Sequence, residues 1–175
     1  MTDANGLSID RIAALMRVST HAAAAELRAL GELSQVRPES DEWCANEVLG
    51  HLIEADRRGF VGRVRLALAE DHPTFESWDQ PSIAAVRRDR YKSAETMVAE
   101  FLAVRDEDLA YVAGLAGADL DRGGEHPMVG TLSVRNLLHE WVWHDRDHLA
   151  QLMAVSKALA WPAMGNSRKF SDPTA

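Results

Sequence analysis

The chain has 175 residues, a formal net charge of −8, 46% hydrophobic and 26% charged residues, and one cysteine. This length can bury its own core as one domain, and the composition is that of an ordinary globular protein. The acidic balance argues against a partner gripped through phosphates, so no nucleic acid is expected, and Arg57-Arg58 and Arg87-Arg88-Asp89-Arg90 read as solvated helix surface.

Helical periodicity recurs four times and strand-like alternation is nearly absent. The first helix is predicted from about Ser8 to Leu30, burying Ile9, Ile12, Leu15, Met16, Ala23, Leu27 and Leu30 and stopping at Gly31. The second follows Trp43 and runs to about Glu70, with Cys44 and Glu47 in the places of a capping box. Its buried stripe holds Val48, His51, Leu52 and Ala55, then Gly59 and Gly62, which would let a neighbouring helix approach. Asp71 to Arg90 reads as an irregular crossover with a short helix after Pro81. The third helix starts near Ser93 and ends near Gly114 or Gly117. A loop rich in Gly and Asp spans Ala118 to Gly130. Thr131 or Ser133 then caps a fourth helix ending near Ala160, before Pro162. The predicted fold is all-α, a four-helix bundle over residues 1–162 with a long crossover between helices 2 and 3, and a polar tail over 163–175.

No leader pattern marks the first residues, and no apolar run reaches the length of a membrane span. With Cys44 unable to form an intrachain disulfide, the expected location is the cytoplasm, with no membrane partner.

Steps of three and four along the fourth helix trace Val134, Leu137, Trp141, His144, His148, Gln151 and Val155. Both ends of this seam are apolar and its middle is polar. Histidine is costly to bury unless its ring nitrogens find partners, and one such residue is more often a hydrogen-bonded core group. Two at i,i+4 share a face about 6 Å apart along the axis, which is the placement for gripping one metal ion. His51, inside the apolar stripe of the second helix, is the natural third ligand. Three neutral imidazoles with an open fourth position make a catalytic rather than a structural pattern. His139, His126, His72 and His21 are expected to point elsewhere.

The stretches Trp43-Cys44-Ala45-Asn46-Glu47-Val48-Leu49-Gly50-His51, Gly124-Glu125-His126-Pro127 through Leu132, and His144-Asp145-Arg146-Asp147-His148-Leu149-Ala150-Gln151 resemble the DinB/YfiT-like superfamily of metal-binding four-helix bundles. In that family the second helix opens with a Trp-Ser/Thr-x-x-Glu cap before a ligand histidine, and the last helix carries His-Asp-x-x-His-x-x-Gln. The resemblance implies His51, His144 and His148 as ligands of one divalent transition metal, zinc or nickel ahead of iron. Cys44 departs from the capping hydroxyl and lies about two turns from His51, so it is not counted as a ligand.

The resemblance further implies metal-dependent chemistry on a small molecule. Either a hydrolase or a transferase or isomerase using a low-molecular-weight thiol such as bacillithiol or mycothiol would fit. A non-catalytic metal-binding or stress-associated protein is the alternative. Gln151 is a candidate to orient a metal-bound water or a substrate. Asp145 stands where a His-Glu-x-x-His motif has its base, so a catalytic role is conceivable. Glu140 could accept from an imidazole N–H, and Trp78 could wall a pocket. Val142 and Trp143 exceed what one seam can bury, so a homodimer is expected.

Overall fold

The computed structural model describes residues 6–172 and 174. Helix α1 (Ile9–Leu30) opens at Ser8, whose hydroxyl accepts the Arg11 N–H, and stops at Gly31 with a φ of 52°. A 3-10 turn over Gly31–Gln35 leads toward α2 (Ala45–Glu54). There the Cys44 N–H donates to the Glu47 carboxylate at 3.0 Å, and Arg37 clamps that carboxylate from outside. Helices α5 (Ala94–Ala113) and α6 (Val134–Ala160) complete the bundle, opened by Ser93 and Ser133. Both α1 and α2 lie between α5 and α6, so α1 and α2 face each other across the bundle.

The second helix is not uninterrupted. It widens into a π turn over Ala55–Phe60 before continuing as α3 (Val61–Ala69). A π turn inserts one extra residue and rotates everything after it. Inside the turn Ala55, Asp56, Gly59 and Phe60 are buried, and beyond it Val61, Val64 and Ala67, so Gly59 lies inside as the sequence predicts whereas Gly62 is only half-buried. Gly62 serves this turn rather than a neighbouring helix, because a Cβ there would collide with the Arg57 carbonyl oxygen. The glycine of close approach is Gly50, where the Asp89 carboxylate fills the space of a side chain.

The crossover also departs from expectation. Thr74 bridges to Glu125, with Phe75 N–H donating to the Glu125 carbonyl and Glu125 N–H to the Pro73 carbonyl, both at 2.8 Å. Residues Glu125 and Thr74 meet there because the predicted loop contains a hairpin, β1 (Gly123–His126) and β2 (Gly130–Ser133). Gly130, at φ 80°, supplies the left-handed residue that closes a three-residue hairpin loop. Helix α4 (Gln80–Arg87) starts at Asp79, which caps Ser82, with Pro81 in its first turn. A 3-10 turn over Asp89–Tyr91 follows. Arg87 and Asp89 are not solvated surface: Asp89 is buried, and Arg87 bonds Glu54, Glu100 and Asp89 at 2.6–3.1 Å. Beyond α6, Trp161–Phe170 continue as largely exposed 3-10 turns.

Two apolar clusters fill the bundle. One gathers Met16, Phe60, Val64, Leu109 and Trp141, the other Leu27, Leu52, Ile53, Phe101 and Leu152. Between them in sequence, on every element, lies a buried polar residue: Ser19 and Thr20 on α1, Asp56 in the π turn, Arg105 on α5 and Asp145 on α6. The Thr20 hydroxyl is satisfied by the Met16 carbonyl at 2.8 Å. Arg105, with no solvent exposure, donates to Asp56 at 2.6 Å and to both oxygens of Asp145 at 2.8 and 2.6 Å. Trp141 Nε1–H fills the other oxygen of Asp56 at 2.7 Å. Burial, with Asp145 and Asp108 nearby, pushes Asp56 up to about 7 against the pull of Arg105.

Breaking a buried ion pair from one side strands the partner charge, at a cost of about 3–5 kcal/mol. Arg105→Met should lose about that much at pH 7 by urea denaturation. The deficit should shrink at pH 5, because the stranded carboxylates then protonate in the folded state.

Candidate metal centre

His51 comes from the second turn of α2, and His144 and His148 from consecutive turns of α6. The helices cross so that one ring nitrogen from each histidine lies within 4.8 Å of the other two. His51 Nε2 and His144 Nε2 face each other at 3.1 Å. Ring centroids are 4.4 to 5.1 Å apart around the triad. Two nitrogens each about 2 Å from a shared ion sit roughly 3 Å apart, so the spacing of His51 and His144 suits a shared transition metal.

The protonation states suit it too. Burial, with the neighbouring His148 and His144, holds His51 down to about 3. Burial, His148 and then the Arg105 guanidinium hold His144 down to about 3. Both rings are therefore neutral at pH 7 and carry the lone pair that a metal requires. His144 Nδ1 is buried with no hydrogen-bond partner, and Phe60 packs edge-on against that ring at 5.0 Å. This back face of the site is dry.

The other sequence-predicted residues fall in different places. The Gln151 side-chain oxygen lies 2.8 Å from His148 Nδ1. A hydrogen bond there fixes the tautomer, with Nδ1 protonated and Nε2 left as the acceptor. Gln151 thus stands behind a ligand histidine, and its oxygen is committed to that ring rather than to a water or substrate. Asp145 is turned away: it is buried, and both oxygens are held by Arg105, which commits the carboxylate to that ion pair. Glu140 is exposed and meets no imidazole of the triad.

His139 holds the N-terminal segment, accepting the Leu7 N–H at 2.8 Å. His126 is buried in the hairpin, and His72 and His21 are exposed. Cys44 is buried, and loss of solvent pushes its thiol up to about 11. Val142 packs against the core, which leaves Trp143, 68% exposed, as the large unburied residue on that part of α6.

Two openings reach the triad. A cleft of about 380 Å³ is lined by His51, Trp43, Trp78, Ile83, Ala84 and a polar floor of Glu47, Glu54, Arg87 and Asp89. Trp43 and Trp78 flank His51 at 5.4 and 5.8 Å between ring centroids. Burial alone would raise Glu54, but hydrogen bonds from Arg58 and Arg87 outweigh it and keep that carboxyl ionised. His148 and Gln151 line a second, wider opening beside Asp41, Glu42 and Trp43. The sequence pointed to the Trp78 wall; it gave no sign that Arg87 and Asp89 would close the cleft floor.

Residues 12–152 match the sequence profile of the DinB superfamily. The chain belongs to that superfamily. It is 24% identical over 122 residues, 70% of each chain, to a protein of Oceanobacillus iheyensis whose name proposes a metal-dependent hydrolase. A protein of Bacillus licheniformis with a name of the same kind is 26% identical over 120 residues, 68% of each chain. The fold is that of YfiT from Bacillus subtilis, described as a candidate metal-dependent hydrolase with an unusual four-helix bundle topology. The two superpose with a TM-score of 0.74 and 18% identity, over 92% of this chain and 94% of that one. A mycothiol-dependent maleylpyruvate isomerase matches at TM-score 0.67 and 10% identity, with 83% of this chain covering 61% of the isomerase. Among the described residues of this DinB-superfamily chain, no helix is long and apolar enough to cross a membrane.

The depressed histidines set a pH dependence in the metal-free protein. Unfolded histidine titrates near 6.5. Between about pH 6.5 and 3 the unfolded chain binds protons that folded His51 and His144 refuse, so stability is lost as pH falls through that window. Asp56 and Asp108, raised to about 7 and 6 chiefly by burial, act in the opposite direction. The histidine contribution is therefore read by difference. Chemical denaturation at pH 7.5 and 5.5 should show a larger loss in the parent than in His51→Ala; equal losses would mean that the ring is not held neutral.

Proposed function

We propose that this protein is a metal-dependent enzyme acting on a small molecule, with His51, His144 and His148 as the ligands of one divalent ion and zinc or nickel as the expected metal. The observation that carries this reading is the convergence of three imidazoles at the edge of a cleft with aromatic walls. A structural site closes its shell with a fourth protein ligand. Among the described residues no fourth His, Cys or carboxylate joins the group, which weighs against a purely storage or structural role.

When bound, a divalent ion supplies Lewis acidity, polarising a carbonyl and easing proton loss from a coordinated water or thiol. The protein's own residues do the rest. Gln151 orients His148, Phe60 keeps the back of His144 dry, and Trp43 and Trp78 hold a substrate's flat or apolar part beside His51. Hydrolysis is the reaction that the names of the similar curated proteins favour. Thiol-dependent transfer or isomerisation is the second reading, supported by the likeness to the mycothiol-dependent isomerase. We place the protein in the cytoplasm. A two-fold homodimer, with Trp143 at its interface, completes the proposal.

Elemental analysis of untagged protein should give one metal per chain. Each of His51→Ala, His144→Ala and His148→Ala should lose most of it, whereas His139→Ala should keep it. Gln151→Ala should weaken metal affinity by about 10–100-fold, the usual cost of removing a group that orients a ligand. Full occupancy in His51→Ala would refute the three-histidine site. In the cobalt-substituted protein, a sulfur-to-metal charge-transfer band on adding a thiol would select the thiol reading, and its absence the hydrolytic one. Activity should fall toward pH 6 and below, as protons compete with metal for the imidazoles. Light scattering at micromolar concentration should give twice the chain mass for the parent and a monomer for Trp143→Ser.

A further inference from the structure

The crossover also bounds a second groove, of about 1010 Å³ open to solvent, against the outer face of the π turn and α3. Three guanidinium groups line it, and two of them are compensated. Arg57 and Arg58 both reach Glu54, at 3.2 and 2.8 Å, and Arg57 also meets Glu100 at 3.1 Å. Arg63 differs: among the described residues it forms no ion pair. It donates to the Glu76 carbonyl at 3.1 Å, and its buried Nε–H has no acceptor. Its guanidinium is held 5.9 Å from the centroid of Phe75. Arginine cannot shed its proton to relieve this, so the cation persists with the Glu140 charge acting on it only through space and no carboxylate in direct contact. Thr74 and Ser77 in the same lining are placed to add hydroxyl donors.

The groove joins the site already described through one residue. Trp78 lines both this groove and the cleft beside His51, and its indole stacks over the His51 ring at 5.8 Å. His51 and Arg63 lie on one helical run, about 18 Å apart along its axis by sequence separation. Helical side chains lean toward the N-terminus, so the Arg63 head reaches back and leaves a gap on the order of 10 Å.

We propose that this groove is the carboxylate subsite of the reaction centre. A substrate or thiol about the size of a dipeptide or tripeptide lays one carboxylate on Arg63, its middle across Trp78, and its reacting group beside the imidazoles. One guanidinium with no carboxylate bonded to it matches one carboxylate, and Glu70 and Glu76 in the lining disfavour a more highly charged phosphate. The role as a subsite rests on the metal-centre reading; the binding of a carboxylate at Arg63 does not.

The test is an NMR titration of the nitrogen-15-labelled full chain with N-acetylglycine, following the Arg63 Nε–H and Trp78 Nε1–H signals. Both should shift saturably. Arg63→Gln should weaken the dissociation constant read at Trp78 at least tenfold, whereas His51→Ala should bind as the parent does. Should Arg63→Gln fail to fold, Thr74→Glu, an exposed substitution that sets a negative charge in the groove, carries the same expectation. The proposal is overturned by the absence of a saturable shift, by equal affinity in the groove variant, or by inorganic phosphate binding more tightly than N-acetylglycine. Metal content measured on the same samples separates the two readings: loss of carboxylate binding with metal retained defeats only the subsite, and loss of metal with carboxylate binding retained defeats only the metal centre.

Discussion

A guanidinium with no access to solvent grips two carboxylates, one from the π turn that ends α2 and one from the middle of α6. Those are the two elements that carry the histidines. Asp56 lies five residues after His51, and Asp145 is the residue after His144. Arg105 therefore cross-links the helices within a turn or so of the ligands, and bidentate contact with Asp145 fixes rotation as well as distance. An apolar layer at this level would hold the helices together by area alone and would tolerate sliding. A buried ion pair tolerates none, since displacement leaves charge unpaired in a low dielectric. The reach of one arginine thus sets the spacing of the triad.

The same charge acts on the site electrostatically. A fixed cation near His144 adds to burial and to His148 in holding that ring neutral. A neutral ring is a ready ligand, but when Nε2 offers its lone pair the proton sits on Nδ1, and that buried N–H also needs a partner. His144 Nδ1 has none, whereas His148 Nδ1 has Gln151. The two histidines of one helix are thus supported differently, His148 by a directed hydrogen bond and His144 by surroundings that exclude the proton. The Trp141 indole completes the link, since its N–H satisfies Asp56 while its ring packs near Arg105 and Phe60.

Much of this was legible in the sequence because helices write their inner faces at a fixed period. Val134, Leu137, Trp141, His144 and His148 could be placed on one seam before any coordinates, and His51 on the facing stripe. What the period could not reveal was a change of period. The π turn at Ala55–Phe60 adds one residue, so Gly59 stays inside as expected but beyond the turn the buried positions are Val61, Val64 and Ala67 rather than Gly62. The role of Asp145 stayed open for a related reason. Spacing shows that it neighbours a ligand, but whether its carboxylate meets substrate or Arg105 depends on α5, about 40 residues away in sequence. The hairpin at Gly123–Ser133 was hidden by shortness: four-residue strands rich in glycine leave no alternation to detect.

The division of labour in the molecule follows from the same geometry. The metal ligands come from α2 and α6, held by the polar waist and two apolar clusters. The walls of the cleft come largely from the crossover: Trp78, Ile83, Ala84, Arg87 and Asp89. This segment is anchored at discrete points, by Thr74 and Phe75 on the hairpin, by Arg87 on Glu54 and Glu100, and by Asp89 against Gly50. Helix α4 between those anchors buries none of its residues fully. Changes at Ile83 or Ala84 can therefore reshape the cleft at little cost to stability, whereas a side chain at Gly50 would push Asp89 off its seat and disturb the cleft floor one residue from His51. On the proposed reading, substrate preference lies with the exposed face of the crossover and metal affinity with the buried waist, so the two can vary independently on one scaffold.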